Sequence, residues 1–133
     1  MPIALLWSRA APEPVARLAT LGAAGLPDLV PICFVITGDL LFTAIDHKPK
    51  ASPRPQRLAN IEREPRVRIL IDHYEEDWSR LWWIRLEGQA QEVPPDPDVL
   101  ALLQAKYTQY RAHPPAGALI QVRILRWSSW ASV

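Results

Sequence analysis

Four cationic side chains, Lys48, Lys50, Arg54 and Arg57, fall within ten residues of the stretch "TAIDHKPKASPRPQRLANI" (Thr43 to Ile61), with His47 beside them and Asp46 as the one acid. The chain as a whole carries 15 Lys and Arg against 14 Asp and Glu, so this charge is local. The stretch opens as a strand-like run and closes on a helical spacing, Leu58 and Ile61. Ser52 can cap that helix, and Pro53 suits its first position. Free N–H groups and the dipole at a helix start, next to ammonium and guanidinium groups, suit a phosphate. Arginine adds two parallel hydrogen bonds to such an anion. A solvated basic loop is the alternative, and the residues by themselves leave both readings open.

Other chemistry is sparse. His47, His73 and His113 have no metal-ligand spacing, and no metal is expected. Cys33 is the single cysteine; it lies in an apolar run, where a buried, inert thiol is expected. Glu75, Glu76 and Asp77 read as a solvated turn. Neither a nucleophile elbow, a P-loop nor a Gly-rich dinucleotide loop is present. No catalytic residue is assigned, although His73 and Tyr74 are available as proton donors. An enzyme built on this chain would take its hard chemistry from a bound cofactor.

The elements that must position these residues follow from periodicity. Residues 3–11 form a short helix. "VARLATL" (Val15 to Leu21), "LVPICFVI" (Leu29 to Ile36) and "LLFTAI" (Leu40 to Ile45) read as three strands of an antiparallel meander, turned at "GAAG" and "TGD". After the basic loop and its helix, which Pro65 ends, "RVRILID" (Arg66 to Asp72) and "LWWIRLEGQAQEV" (Leu81 to Val93) alternate as strands. A helix near residues 97–111 carries a stripe of Val99, Leu102, Leu103, Lys106, Tyr107 and Tyr110. The last strand, Leu119 to Trp127, buries Ile120, Val122 and Ile124, and its alternation puts Arg126 in phase with Ile124. The sum is a mostly β, single-domain chain (1–133): a six-stranded antiparallel barrel with two or three short helices. By the same alternation Trp82 joins Ile84 inside and Trp83 joins Arg85 outside. An external tryptophan needs cover from a second subunit, a planar ligand or a helix.

The run from Val15 to Val93 resembles the split-barrel flavin-binding superfamily, the pyridoxamine-phosphate-oxidase-like proteins. The likeness rests on an A-x-L-A-T-like first strand, a V-P in the second, "TAID" followed by K-x-K, then "RLANI" and "EPRVRILID". "DHKPK" with "HYEEDWSRLWWIRLEGQA" is similar to the branch of deazaflavin-dependent oxidoreductases that use coenzyme F-420. The resemblance implies an FMN-binding type of split barrel, a homodimer with cofactor at the subunit interface, and hydride transfer to or from a small conjugated substrate. It implies that Thr43, Ala44 and Ile45 line the ring. Lys48 and Lys50 would bind phosphate with help from Ser52 and Arg57, and Asn60 would be a polar support. Pro31 would lie near the ring, and Trp83 would come from the partner subunit. FMN is the alternative cofactor; deazaflavin carries an added polyglutamate-type tail, which favours basic groups around an open groove. A non-catalytic module that carries a flavin-like or tetrapyrrole ligand is the further alternative. "SPRP" departs from the family pattern, because prolines at 53 and 55 stiffen the helix start and can re-aim Arg54 and Arg57.

The net charge of +1 argues against nucleic acid and membrane surface as partners. No apolar run reaches membrane-spanning length, and the N-terminal patch lacks the basic region of a signal peptide. A cytoplasmic protein is expected.

Overall fold

The computed structural model describes residues 3–45 and 54–132. Lys48, Lys50 and Ser52 lie outside the described residues. Among the described residues seven strands form one antiparallel sheet: β1 (Ala16–Leu21), β2 (Pro27–Ile32), β3 (Val35–Thr37), β4 (Leu40–Ala44), β5 (Arg66–His73), β6 (Trp82–Val93) and β7 (Leu119–Ala131). Their spatial order is β2-β1-β5-β6-β7-β4-β3. Among the described residues four α-helices accompany them: α1 (Ile3–Ala10), α2 (Gln56–Arg63), α3 (Pro97–Lys106) and α4 (Thr108–Ala112).

The strand predicted at Leu29 to Ile36 is two strands, which makes seven rather than six. Its first part pairs with β1 and its second with β4. These halves, β2 and β3, occupy opposite edges of the sheet yet are joined through only Cys33 and Phe34. The edges therefore cannot stand further apart at this point than about 11 Å, the reach of three Cα–Cα steps. The sheet must curl into a half-barrel whose seam is a covalent link. Phe34, fully buried, sits in that seam. Its N–H donates to the Tyr107 hydroxyl (2.9 Å), and its carbonyl accepts from Lys106 Nζ (2.8 Å). Side chains from α3 and its end thus replace the ladder partners that a bent strand loses. The helix predicted over 97–111 breaks at Tyr107, whose backbone is extended and whose hydroxyl also donates to the Pro14 carbonyl (3.0 Å). Leu102 falls off the predicted stripe and is exposed. Cys33, expected to be buried, is partly exposed beside the seam.

The main core fills the barrel with Leu18, Phe34, Leu41, Ile69, Ile71, Ile84, Leu86, Ile120 and Val122, and α2 adds Leu58 and Ile61. A second cluster lies on the other face of β3–β4, where Val99 and Leu103 of α3 cover Val35, Phe42, Ala44 and Leu119. Asp96 caps α3, accepting from Asp98 N (2.9 Å) and Val99 N. Trp82 is in the main core, as the alternation requires.

Arg126 does not follow its predicted phase. A bulge between Glu87 and Gly88 leaves Leu125 without a partner on β6, and the alternation of β7 reverses beyond it. Arg126 then points outward, exposed, near Glu87 (3.6 Å). A Cβ on Gly88 would stand 2.5 Å from the Arg123 carbonyl oxygen, so the bulge requires glycine.

Candidate functional site

The end of β4 and the start of α2 flank the basic loop. Leu41, Thr43 and Ile45 alternate toward the barrel interior: Leu41 belongs to the main core and Ile45 packs against it, while Thr43 is buried. Ala44 points the other way, into the cluster under α3. The three residues expected along the ring therefore split between two faces of β4.

Helix α2 begins at Gln56, three residues later than Pro53. Its N-cap is Pro55, which offers no side-chain acceptor. Among the described residues no side chain caps the first-turn N–H groups, and that of Leu58 is turned back onto the Pro55 carbonyl (3.1 Å). Two arginines at this end behave differently. Arg54 is committed to carboxylates, donating to Glu62 (2.8 Å) and to Glu92. Arg57 is half-buried, and its buried Nε finds no hydrogen-bond partner among the described residues. A buried guanidinium donor without an acceptor is costly, and an anion at the helix start would satisfy it.

Asn60 is fully buried one turn further on. Its amide nitrogen donates to Thr20 Oγ1 (2.9 Å) and Asp28 Oδ2 (2.7 Å), and its oxygen accepts from Gln56 Nε2 (3.1 Å) and Arg63 (3.2 Å). The side chain is spent on tying α2 to the β1–β2 hairpin.

Two expected site residues lie elsewhere. Pro31 is exposed on edge strand β2, opposite Arg17. Trp83 stands on the outer face of β6, directly across from Asp72 and from Trp130. It is half-buried, with the Arg85 guanidinium 5.4 Å from its ring centroid, and it lines a 260 Å³ hollow with Leu70, Asp72, Tyr74 and Arg85. His73 ends β5, roughly 24 Å along the strand from its start near α2, and Tyr74 follows it. His73 contacts Glu75, and Tyr74 is exposed. Among the described candidates, Thr43 and Ile45 face the barrel interior, Asn60 ties α2 to the β1–β2 hairpin, and Trp83 stands on the outer face.

Sequence reasoning missed the Lys106–Tyr107 pair that holds the seam. Lys106 Nζ lies 3.6 Å from the Phe34 ring centroid, and burial pulls its pKa down to about 8. Burial pushes the Tyr107 hydroxyl up to about 12. No spacing signal could have found this pair, because its partner is 72 residues away in the chain. Among the described residues no cluster of metal-ligating side chains occurs, and no helix is long and apolar enough to cross a membrane.

Comparison with solved structures places this architecture. A conserved hypothetical protein of Mycobacterium tuberculosis, Rv2991, superposes with a TM-score of 0.75 at 22% identity, covering 98% of this chain and 85% of that one. An F-420 reductase gives a TM-score of 0.66 at 22% identity, over 91% of this chain and 94% of the other. The heme storage protein HutZ of Vibrio cholerae gives 0.70 at 17% identity, over 97% and 91%. No curated protein matches the sequence. The sequence profile described as Pyridoxamine 5'-phosphate oxidase matches residues 9–131. With a curled antiparallel half-barrel and a profile that spans nearly its whole length, the chain belongs to the pyridoxamine 5'-phosphate oxidase family.

Proposed function

We propose that this protein is a homodimeric oxidoreductase that uses coenzyme F-420, with FMN as the alternative cofactor, and acts on a small conjugated substrate. The observation that carries this reading is Arg57: among the described residues its buried guanidinium nitrogen has no acceptor, and the helix start beside it has no side-chain cap. These donors fit the phosphate of a ring-bearing redox cofactor, and the likeness to an F-420 reductase supports the deazaflavin form.

When bound, the cofactor supplies the hydride chemistry. The chain's own residues bind and orient. Arg57 would hold the phosphate, with Lys48, Lys50 and Ser52 of the preceding loop as its partners. Thr43 and Ile45 shape the barrel wall beside it. Arg54, neutralised by Glu62 of α2 and Glu92 of β6, is spent on those carboxylates rather than on the ligand. Trp83 lies on another face of its own chain, so a second copy is needed to bring that tryptophan to the ring and to exclude water. Positioning of this kind supplies much of the rate in a site without an acid–base pair.

The deciding experiment is parallel titration of the purified protein with F-420, FMN and heme. Saturable binding of F-420, lost in the Lys48→Ala/Lys50→Ala double variant, is expected. Tight FMN binding alone would transfer the reading to the flavin. The likeness to a heme storage protein favours a second reading, a non-catalytic tetrapyrrole carrier. Heme binding with no affinity for either ring cofactor would replace the enzyme reading with that one.

A further inference from the structure

The 260 Å³ hollow on the outer face of β5–β6 has a floor set by strand register: Leu70 lies opposite Arg85, and Asp72 opposite Trp83. All four side chains share one face of the sheet, because their neighbours Ile69, Ile71, Ile84 and Leu86 point into the core. Tyr74, just beyond β5, adds a second aromatic wall. Drug-sized ligands fill about 300–1,000 Å³, so a smaller molecule suits this space. The charges around it are unevenly matched. Asp72 accepts from Arg17 Nη1 on β1 (2.9 Å), and that pair cancels. Glu87, the next acid on the same face, is paired with Arg68 (2.8 Å) and stands near Arg126 (3.6 Å). Arg85 is exposed and makes no ion pair among the described residues. Its contact is the Trp83 ring, 5.4 Å from the centroid. A ring attracts the charge of a guanidinium but accepts little from its N–H fork, so the donors stay free for an acceptor.

We infer that this hollow takes a small, planar, conjugated molecule carrying one carboxylate. The conjugated part lies over Leu70 against Trp83 and Tyr74, and the carboxylate is held by Arg85. A guanidinium binds a carboxylate through two parallel hydrogen bonds. An indole face favours a flat partner over a saturated one. With Asp72 cancelled by Arg17, the hollow keeps the single positive charge of Arg85. A monoanion matches that charge, a cation is repelled, and a dianion is left half-paired. As a substrate seat the hollow rests on the function proposed above, in which a second copy brings Trp83 to the cofactor ring. The substrate class is then a conjugated carboxylate, and Arg85 is the residue that selects it. The binding chemistry itself stands on this face alone.

The test is calorimetric titration of the full chain, with and without F-420, using trans-cinnamate as the probe. Cinnamyl alcohol keeps the plane and removes the charge; 3-phenylpropionate keeps the charge and removes the conjugation. Cinnamate should bind more tightly than either. Arg85→Met, an exposed substitution, should weaken cinnamate roughly tenfold or more, as expected for a lost hydrogen bond to a charged group, and leave cinnamyl alcohol unchanged. Arg126→Met removes a positive charge from the same face outside the hollow and should change neither affinity. Cinnamate that does not bind in either state, binds no tighter than the two controls, or binds Arg85→Met as tightly as wild type overturns the inference. An equal loss in Arg126→Met overturns it too, since the effect would then be one of general charge. F-420 binding is read separately: its presence beside a failed cinnamate titration leaves the cofactor reading standing. Arg85-dependent cinnamate binding without F-420 binding keeps the hollow and removes the cofactor.

Discussion

Arg57 and Lys106 illustrate opposite uses of a partly buried cation. Arg57 keeps a buried nitrogen without an acceptor among the described residues, which suits a residue that takes an anion. Arg57→Met should weaken cofactor binding by about 1.5–3 kcal/mol, the range for a hydrogen bond to a charged group, with little effect on folding. Fluorescence titration of both proteins checks this, and equal affinities would remove Arg57 from the site. Lys106 instead spends its ammonium on the Phe34 carbonyl and ring. Burial lowers its pKa to about 8 from an ordinary 10.5. Between these values the unfolded chain binds more protons, so stability rises with pH from about 8 to 10.5. Tyr107 works in the other direction: its pKa is raised to about 12 from 10, so its share of stability is lost as pH climbs through that window. Urea midpoints should therefore increase from pH 8 toward 10 and fall beyond it. Lys106→Met should abolish the rise, which is roughly 1 kcal/mol once half exposure is allowed for.

At the scale of elements, two devices fix how strands and helix meet. Asn60 binds α2 to the β1–β2 hairpin through Thr20 and Asp28. Asn60→Leu would leave the buried Thr20 hydroxyl unmet, while exposed Asp28 can turn to water, and should cost about 1–3 kcal/mol by chemical denaturation. The bulge at Gly88 is the other device. Gly88→Ala must push the Arg123 carbonyl aside, and a loss of about 1–3 kcal/mol is expected in the same measurement. An unchanged midpoint would mean that the strands part there without strain. The edges of the sheet are protected differently. Pro27 and Pro31 cannot donate along β2, and β3 has only three residues.

For the whole molecule, the outer face of β5–β6–β7 poses the question of assembly. Trp83 is half-buried and Trp130 partly exposed on neighbouring strands, with Leu70 beside them. A face of this kind suits a second copy better than water. Trp83→Ala should shift the protein toward monomer in sedimentation equilibrium and weaken cofactor retention together. Wild-type dimerisation with full occupancy in that variant would separate Trp83 from both roles.

Much of the fold was legible because alternation and turn residues are local signals. "RVRILID" and "LWWIRLEGQAQEV" announce strands β5 and β6, and the inside–outside assignment of Trp82 and Trp83 follows from strand geometry alone. The cationic cluster was equally plain, since charge density along a chain needs no structure to be seen. Three features were not legible. The break at Cys33–Phe34 depends on where the two sheet edges meet, a closure that no local pattern encodes. The reversal at Arg126 depends on one extra residue in β7, which shifts the phase of everything after it. The separation of Arg57 from Arg54 depends on Glu62 and Glu92, and the latter approaches from a strand 38 residues away. Sequence by itself determined which residues alternate, turn and carry charge, because those properties belong to neighbours along the chain. Tertiary structure alone decided which cation is neutralised, which is left waiting, and where the barrel is sewn shut, because those outcomes are set by partners that only folding brings within reach.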